Sequence, residues 1–367
     1  MIKEQQSSRL LSLDFLRGLT MVLLTLESTL LFTHLQPAVA GTPAVHILNE
    51  FGHHPWHGLH FWDLVQPVFM FVAGTAMAFS MKKRRQQMTW WQSFIKILKR
   101  CFWLFFWGVL DYAVRKEGLS FELWDVLTQL AFTTLVAFLI MDFPIAVQIF
   151  VSLLCLLIPE LLYRFAHIPG FDQPFVDQHN FGNYMDMVLM NKINHGGWVA
   201  INCISTSAHT IWGVLAGKVL LSNKTSSQKM KYLLLSSAIL LLLGFGLDWS
   251  GVTPIIKKIA TSSFVLASGG WCVLFLAVCY WWIDIKKHQR QLLFFALFGM
   301  NSIFIYLFFE IVGDRWFTEY ILAITNGLFG FVHFPVVTAA IIGSLVVFSL
   351  EAGMLYFLNR KKIFFKI

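Results

Sequence analysis

Charge is what this sequence has least of. Only 13% of its 367 residues are Asp, Glu, Lys or Arg, about half of what an ordinary soluble domain carries, and that deficit excludes a water-soluble globular fold. Cysteine is scarce too: Cys101, Cys155, Cys203, Cys272 and Cys279 all fall inside apolar runs. They lack the spacing of a disulfide framework or a zinc site, so they read as small core residues. No low-complexity or linker segment divides the chain, and no internal repeat marks an inverted-repeat transporter. The 28 Lys and Arg form short clusters between apolar runs and not one basic face, which leaves no support for nucleic-acid binding. The first apolar run has no small-x-small cleavage site, so it is expected to stay as a membrane span.

Apolar length is what the sequence has in abundance, 57% of its residues being hydrophobic. At roughly 20 residues per spanning helix, the expectation is an all-α polytopic membrane protein, a single transmembrane domain over residues 1–367. Apolar runs at 10–33, 61–81, 91–113, 122–141, 144–163, 198–221, 232–249, 263–283, 292–312 and 335–358 predict about ten transmembrane helices. A weaker stretch, 319–332, is interrupted by Asn326, Gly327 and Gly330, and reads as an eleventh span, a re-entrant segment or an interfacial helix.

Basic residues decide the orientation. Ten spans with a cytoplasmic start put Lys3 and Arg9, the run from Lys82 to Arg85 with Lys96, Lys99 and Arg100, then Lys218, Lys224, Lys229 and Lys231 on the inner side. Lys286, Lys287, Arg290 and the tail from Arg360 to Lys366 follow them there. The outer segments hold only Arg115, Lys116, Arg164, Lys192, Lys257, Lys258 and Arg315. An eleventh span would move the basic tail outside, against the positive-inside rule, so both termini are expected in the cytoplasm. Outer loops then run at about 34–60 and 164–197, with shorter ones near 114–121, 250–262 and 313–318. Function is expected on that face. The Lys82–Arg85 run is a topology signal and lipid headgroup contact before it is a ligand site.

Six of the twelve histidines, His34, His46, His53, His54, His57 and His60, crowd the first outer loop and the mouth of the second span. In Gly52-His53-His54-Pro55-Trp56-His57-Gly58 the proline and glycines break helix and force a turn at the outer membrane boundary. Imidazole is the side chain that exchanges protons near neutrality. His53, His57 and His60 have spacings that helices use for metal ligands, but Pro55 and Gly58 prevent a regular helix there, so no metal is expected. Asp63 follows at the start of the second span, placed either to cap the helix or to orient an imidazole.

Other polar residues lie inside apolar runs. Asp14 and Arg17, three apart on one helix face, form either a local ion pair or the polar entrance of a pathway for an anionic cosubstrate. Asn202, Ser205, Thr206, Ser207, His209 and Thr210, with Asn301 and Ser302, must face protein or water. Thr253-Pro254 and Lys257-Lys258, ahead of Thr261-Ser262-Ser263, make a basic patch suited to an anionic group or to interfacial anchoring.

The stretch Arg9-Leu10-Leu11-Ser12-Leu13-Asp14-Phe15-Leu16-Arg17-Gly18-Leu19-Thr20 resembles the opening of heparan-α-glucosaminide N-acetyltransferases and their bacterial relatives. The turn His53-His54-Pro55-Trp56-His57-Gly58, followed by Asp63-Leu64-Val65-Gln66-Pro67-Val68-Phe69-Met70-Phe71, resembles that family's histidine turn leading into a DLxFPxFxF helix. Ala208-His209-Thr210-Ile211-Trp212-Gly213 through Gly217, Thr253-Pro254-Ile255-Ile256-Lys257-Lys258 with Thr261-Ser262-Ser263-Phe264-Val265, and Gly299-Met300-Asn301-Ser302-Ile303-Phe304-Ile305-Tyr306 are similar to its later motifs, in order. The family's late first-helix asparagine corresponds to Ser28 here, and Gln129 stands without the arginine that usually accompanies it.

What the resemblance implies is a transmembrane acyltransferase that carries an acetyl group from cytosolic acetyl-CoA, a cosubstrate, to an amino sugar or related glycan across the membrane. The family's catalytic histidine, three residues before the tryptophan, lands on His53. Asp63 then orients it, His54 and His57 support it, and Asn301, Ser302 or Ser28 donates to the oxyanion. Direct transfer and an acetyl-His53 intermediate both fit. Asp14, Arg17, His209 and Lys257 are the expected pathway residues. A bacterial inner membrane suits the resemblance, with membrane lipids as surroundings and at most a second copy of the chain, in a homodimer, as protein partner. Some bacterial relatives carry an aminosugar-transporter label, so sugar transport or binding is the alternative.

Overall fold

The computed structural model describes residues 10–114, 119–290 and 292–365. Lys3, Arg9, Arg115, Lys116 and Lys366 lie outside them, as do the two chain ends expected in the cytoplasm.

Helix follows helix, with no strand among the described residues. In chain order they are α1 Leu11–Ser28, α2 Leu31–Val39, α3 Ala44–Asn49, a 3-10 turn Phe61–Leu64, α4 Val65–Arg84, α5 Trp90–Ala113, α6 Val126–Ile140, α7 Ile145–Phe165 and α8 Phe181–Met190. After these come α9 Asn202–Leu221, α10 Ser226–Trp249, α11 Ser262–Cys279, α12 Leu292–Met300, α13 Ser302–Phe308, α14 Thr318–Phe331 and α15 Val336–Arg360. Starts follow local chemistry: Thr89 with Gln92 and Thr225 with Gln228 form reciprocal capping boxes on α5 and α10, satisfying backbone N–H groups the first turn leaves unpaired.

Among the described residues five helices are long and apolar enough to cross a membrane: Phe61–Arg84, Ile145–Phe165, Ser226–Trp249, Ser262–Ile285 and Val336–Arg360. The number rises to seven if each of two bent pairs is one span, Leu11–Ser28 with Leu31–Val39 (68°) and Leu292–Met300 with Ser302–Phe331 (70°). The remaining three predicted runs also fold as helices but fall short of that standard. Helix α5 carries Lys96, Lys99 and Arg100, α6 has only 15 residues, and α9 is dense in hydroxyls. Exposed Phe150, Leu153, Leu157 and Leu161 on α7, with Leu235, Ile239, Leu242 and Leu243 on α10, are what a helix presents to lipid.

Two expectations change. The short outer loop near 313–318 is helical: π-helix spans Phe309–Phe317 and runs straight into α14, because i→i+5 spacing absorbs extra residues without breaking the chain. The weak stretch 319–332 is therefore the far half of one long helix that begins at Ser302.

The chain divides into two compact units. The first holds residues up to His53 and from Cys279 onward. Here α1 and α12 meet backbone to backbone: a Cβ at Gly18 would collide with the Phe295 carbonyl, and Gly299 packs against the Asp14 carbonyl. Small residues of this kind permit close helix approach in membranes. Asp284 Oδ2 accepts from the Ser12 backbone N–H at 3.2 Å, capping the start of α1. The 70° corner after α12 falls at Asn301. Its Nδ2 donates to the Ile363 carbonyl (3.3 Å) and its Oδ1 accepts from the Phe365 N–H (3.1 Å).

The second unit, His54–Val278, is built on α4 against α9. Side chains at Gly74 or Gly213 would strike the carbonyls of Thr210 and Phe71, and one at Gly217 would strike Ala78. The polar face expected on α9 is buried against protein: Ser205, Thr206, Ser207, His209 and Thr210 are each no more than 3% exposed. His209 Nε2 lies 2.9 Å from Ser268 Oγ and 3.1 Å from the Val265 carbonyl, tying α9 to α11. Gln129 on α6 accepts from Gln66 on α4 at 2.5 Å, which gives it a neutral partner.

Candidate functional site

The histidine turn is irregular chain, as Pro55 and the glycines require. From His54 onward it belongs to the second unit and is pinned to the loop after α10. His57 and Ile256 form an isolated antiparallel bridge, the Gly58 N–H donates to the Ile255 carbonyl at 2.9 Å, and His57 Nε2 lies 2.7 Å from Asp248 Oδ1. Gly58 has φ +148°, and a Cβ there would collide with the His54 ring. That glycine is a steric condition for the turn.

The partner loop, Thr253 to Ser263, holds itself closed. Thr261 Oγ1 donates to the Pro254 carbonyl (2.7 Å) and accepts from the Ile256 N–H (3.0 Å), while Ser263 Oγ donates to the same Pro254 carbonyl (2.7 Å). Ile255, Ile256 and Ile259 are buried to 1% or less and anchor it. Between these anchors Lys257 is carried inward.

Lys257 meets Asp63. Nζ stands 3.6 Å from Asp63 Oδ1, with both side chains buried, and 5.2 Å from the centre of the Trp198 ring, within cation–π range. Asp63 Oδ2 accepts from the backbone N–H of His60 (2.9 Å) and of His54 (3.3 Å). One carboxylate thus caps the 3-10 turn, braces the histidine turn and faces a cation. The His54 and His60 rings meet edge to face, centroids 4.7 Å apart. Burial pushes Lys257 down from the ordinary lysine range to about 8, against the pull of Asp63, which favours the charged form. Lys258 lies over Trp56 at 5.9 Å, and Trp56 Nε1 donates to the Phe175 carbonyl at 2.8 Å.

Of the residues singled out from sequence, His54, His60, Asp63 and Lys257 come together, with His57 on Asp248 beside them. His209 is a buried tie in the same unit. Within the first unit His53 is exposed, Ser28 Oγ donates to the Thr25 carbonyl of its own helix at 2.9 Å, and Asn301 holds the 363–365 backbone. Asp14 and Arg17 lie half-buried on α1, and Ser302 opens α13 half-buried.

Sequence reasoning passed over Trp198 and Asp248, which touch the site, and over Asp186 and Asn183 on α8. Trp198 floors Lys257, Asp248 holds His57, and Asp186 accepts from Trp124 Nε1 (3.0 Å) and the Ala200 N–H (2.9 Å). Asn183 stands one turn before Asp186. The Asn183-x-x-Asp186 spacing within the polar stretch 164–197 was the available signal. Among the described residues no three His, Cys, Asp or Glu side chains gather as a metal set. The chemistry on offer is a buried ammonium–carboxylate pair beside imidazoles, suited to stabilising negative charge and moving a proton.

Residues 9–224 match the family model described as a domain of unknown function (DUF5009). Among curated proteins none matches the chain.

Proposed function

For a chain that belongs to the DUF5009 family, a domain of unknown function, we propose transmembrane acyl transfer: an acetyl group passes from cytosolic acetyl-CoA to an amino sugar or related glycan on the outer face. The observation that carries this reading is the buried Lys257–Asp63 pair beside His54 and His60, at the turn where the resemblance to heparan-α-glucosaminide N-acetyltransferases puts the base.

In this reading His53 takes the proton of the acceptor amine as its nitrogen attacks the thioester carbonyl. The carbon–sulfur bond breaks, and the coenzyme A thiolate leaves and recovers the proton. Lys257, buried opposite Asp63 in the second unit, is the cation of this reading, and a buried charge acts strongly on negative charge that develops near it. Asp63 keeps that ammonium charged and fixed. An acetyl group carried briefly on His53 is compatible with the same residues. The reading includes ten spans with both termini cytoplasmic, in a bacterial inner membrane, so that Asp14 and Arg17 lie toward the cytosolic side from which acetyl-CoA arrives.

Purified protein incubated with radiolabelled acetyl-CoA and a panel of amino sugars tests it. Labelled sugar that disappears in His53→Ala, with His54→Ala milder, is the expected result. Equal labelling by wild type and His53→Ala removes His53 from the chemistry, and no labelled sugar or protein across the panel removes acyl transfer. The alternative, proton-coupled sugar transport, is favoured by Glu351 on α15, which is 1% exposed with neither carboxyl oxygen partnered. Uptake of labelled amino sugar into vesicles under a proton gradient, lost in Glu351→Gln, would support it.

A further inference from the structure

Asn183 on α8 is wholly buried, and neither its Nδ2 nor its Oδ1 has a hydrogen-bond partner. A primary amide shut away from water with both ends unpaired is unfavourable, and in a folded protein it marks a place where something polar belongs. Among the other buried, unpartnered groups of the second unit, two bear on it. The buried Tyr163 hydroxyl has no partner and lies against the first turn of α8, where a Cβ at Gly182 would collide with it. Asn202 Oδ1 is also buried without a partner, while its Nδ2 reaches the Lys258 carbonyl at 3.4 Å.

One segment, Trp198 to Asn202, links these groups. Gly182 packs on Val199, and Asp186 accepts the Ala200 N–H, so the face of α8 bearing Asn183 and Asp186, three residues apart, lies along it. At the head of the same segment Trp198 floors the Lys257 ammonium. Burial raises the Asp186 carboxyl to about 7, so near neutrality it both donates and accepts. Amide, carboxyl and phenol each have this double character, and none of them is a cation. That is the complement of a ring of hydroxyl groups and not of a phosphate or carboxylate.

We propose that Asn183 and Asp186, with Tyr163 and Asn202, bind the hydroxyl groups of the acceptor sugar and hold it beside Lys257. This deepens the acyl-transfer reading and rests on it for the class of acceptor. Water satisfies an amide by the same chemistry, and the experiment separates the two sources.

Full-length protein in detergent is titrated calorimetrically with D-glucosamine and with cyclohexylamine, a six-membered ring amine without hydroxyls. Wild type is expected to prefer glucosamine by about tenfold or more, and Asn183→Leu to lose that preference through weaker glucosamine binding, cyclohexylamine staying within about twofold. Tyr163→Phe, which removes one buried oxygen and nothing else, is expected to weaken glucosamine about fivefold. Unchanged glucosamine affinity in both variants overturns the proposal and assigns the orphaned groups to internal water. The titration contains no acetyl-CoA, so the two readings fail separately. Asn183-dependent binding without labelled product keeps this site and removes acyl transfer, whereas product formation by Asn183→Leu at unchanged acceptor KM does the reverse.

Discussion

Lys257 faces Asp63 across 3.6 Å with both side chains buried, so the loop after α10 and the mouth of α4 are joined by a charge pair that water barely reaches. Stripping water from each charge is costly, and the pair is sustained only because each partner and the His54 and His60 N–H groups answer the other. Removing one partner is therefore worse than removing both.

Asp63→Asn and Lys257→Met are each expected to destabilise the second unit by about 3–5 kcal/mol, and the double substitution by clearly less than their sum. Thermal unfolding of the four proteins in one detergent checks this. Additive losses would mean that the two side chains act independently.

If charged Lys257 stabilises the oxyanion, acyl transfer falls as pH rises through about 8, where the buried ammonium gives up its proton. The stability effect has the opposite sign. Between about 8 and the ordinary lysine value of 10.5, the unfolded chain holds a proton that the folded chain has released, so folding stability rises with pH in that window. Lys257→Met should abolish this rise, which denaturation midpoints at pH 8 and pH 10 would reveal.

Asp186 behaves in reverse on the acid side. Burial lifts it from 3.8 to about 7, so between those values the folded chain binds the extra proton and stability declines as pH rises. Asp186→Asn is expected to flatten the profile between pH 4 and pH 7. An unchanged slope in the variant would assign the decline to another group.

For orientation, a cysteine at the exposed Ile47, in a background with the native cysteines replaced, should react with an impermeant maleimide added outside intact cells. One at Arg360 should react only after lysis. The opposite pattern would invert the topology and with it the side from which each substrate comes.

The helical, membrane-crossing character was legible because apolar runs and scarce charge follow directly from the solvent a chain must face. The turn at 52–58 was legible for an equally local reason, since Pro55 and Gly58 exclude helix. The Lys257–Asp63 pair was not, because nothing near Lys257 tells that Ile256 and Ile259 turn it inward; a lysine beside a membrane reads as an anchor until its neighbours' burial is known. The corner at Asn301 escaped for a related reason, as Leu292 to Phe308 is apolar almost throughout and periodicity cannot report a bend that a side-chain amide holds from outside the helix.

That amide has a mechanical consequence. By gripping the backbone at Ile363 and Phe365, Asn301 makes the segment after α15 a leash on the bend between α12 and α13. A reporter protein fused without a spacer at residue 365 would tug on the corner, so the fusion would disturb the very geometry it was attached to observe.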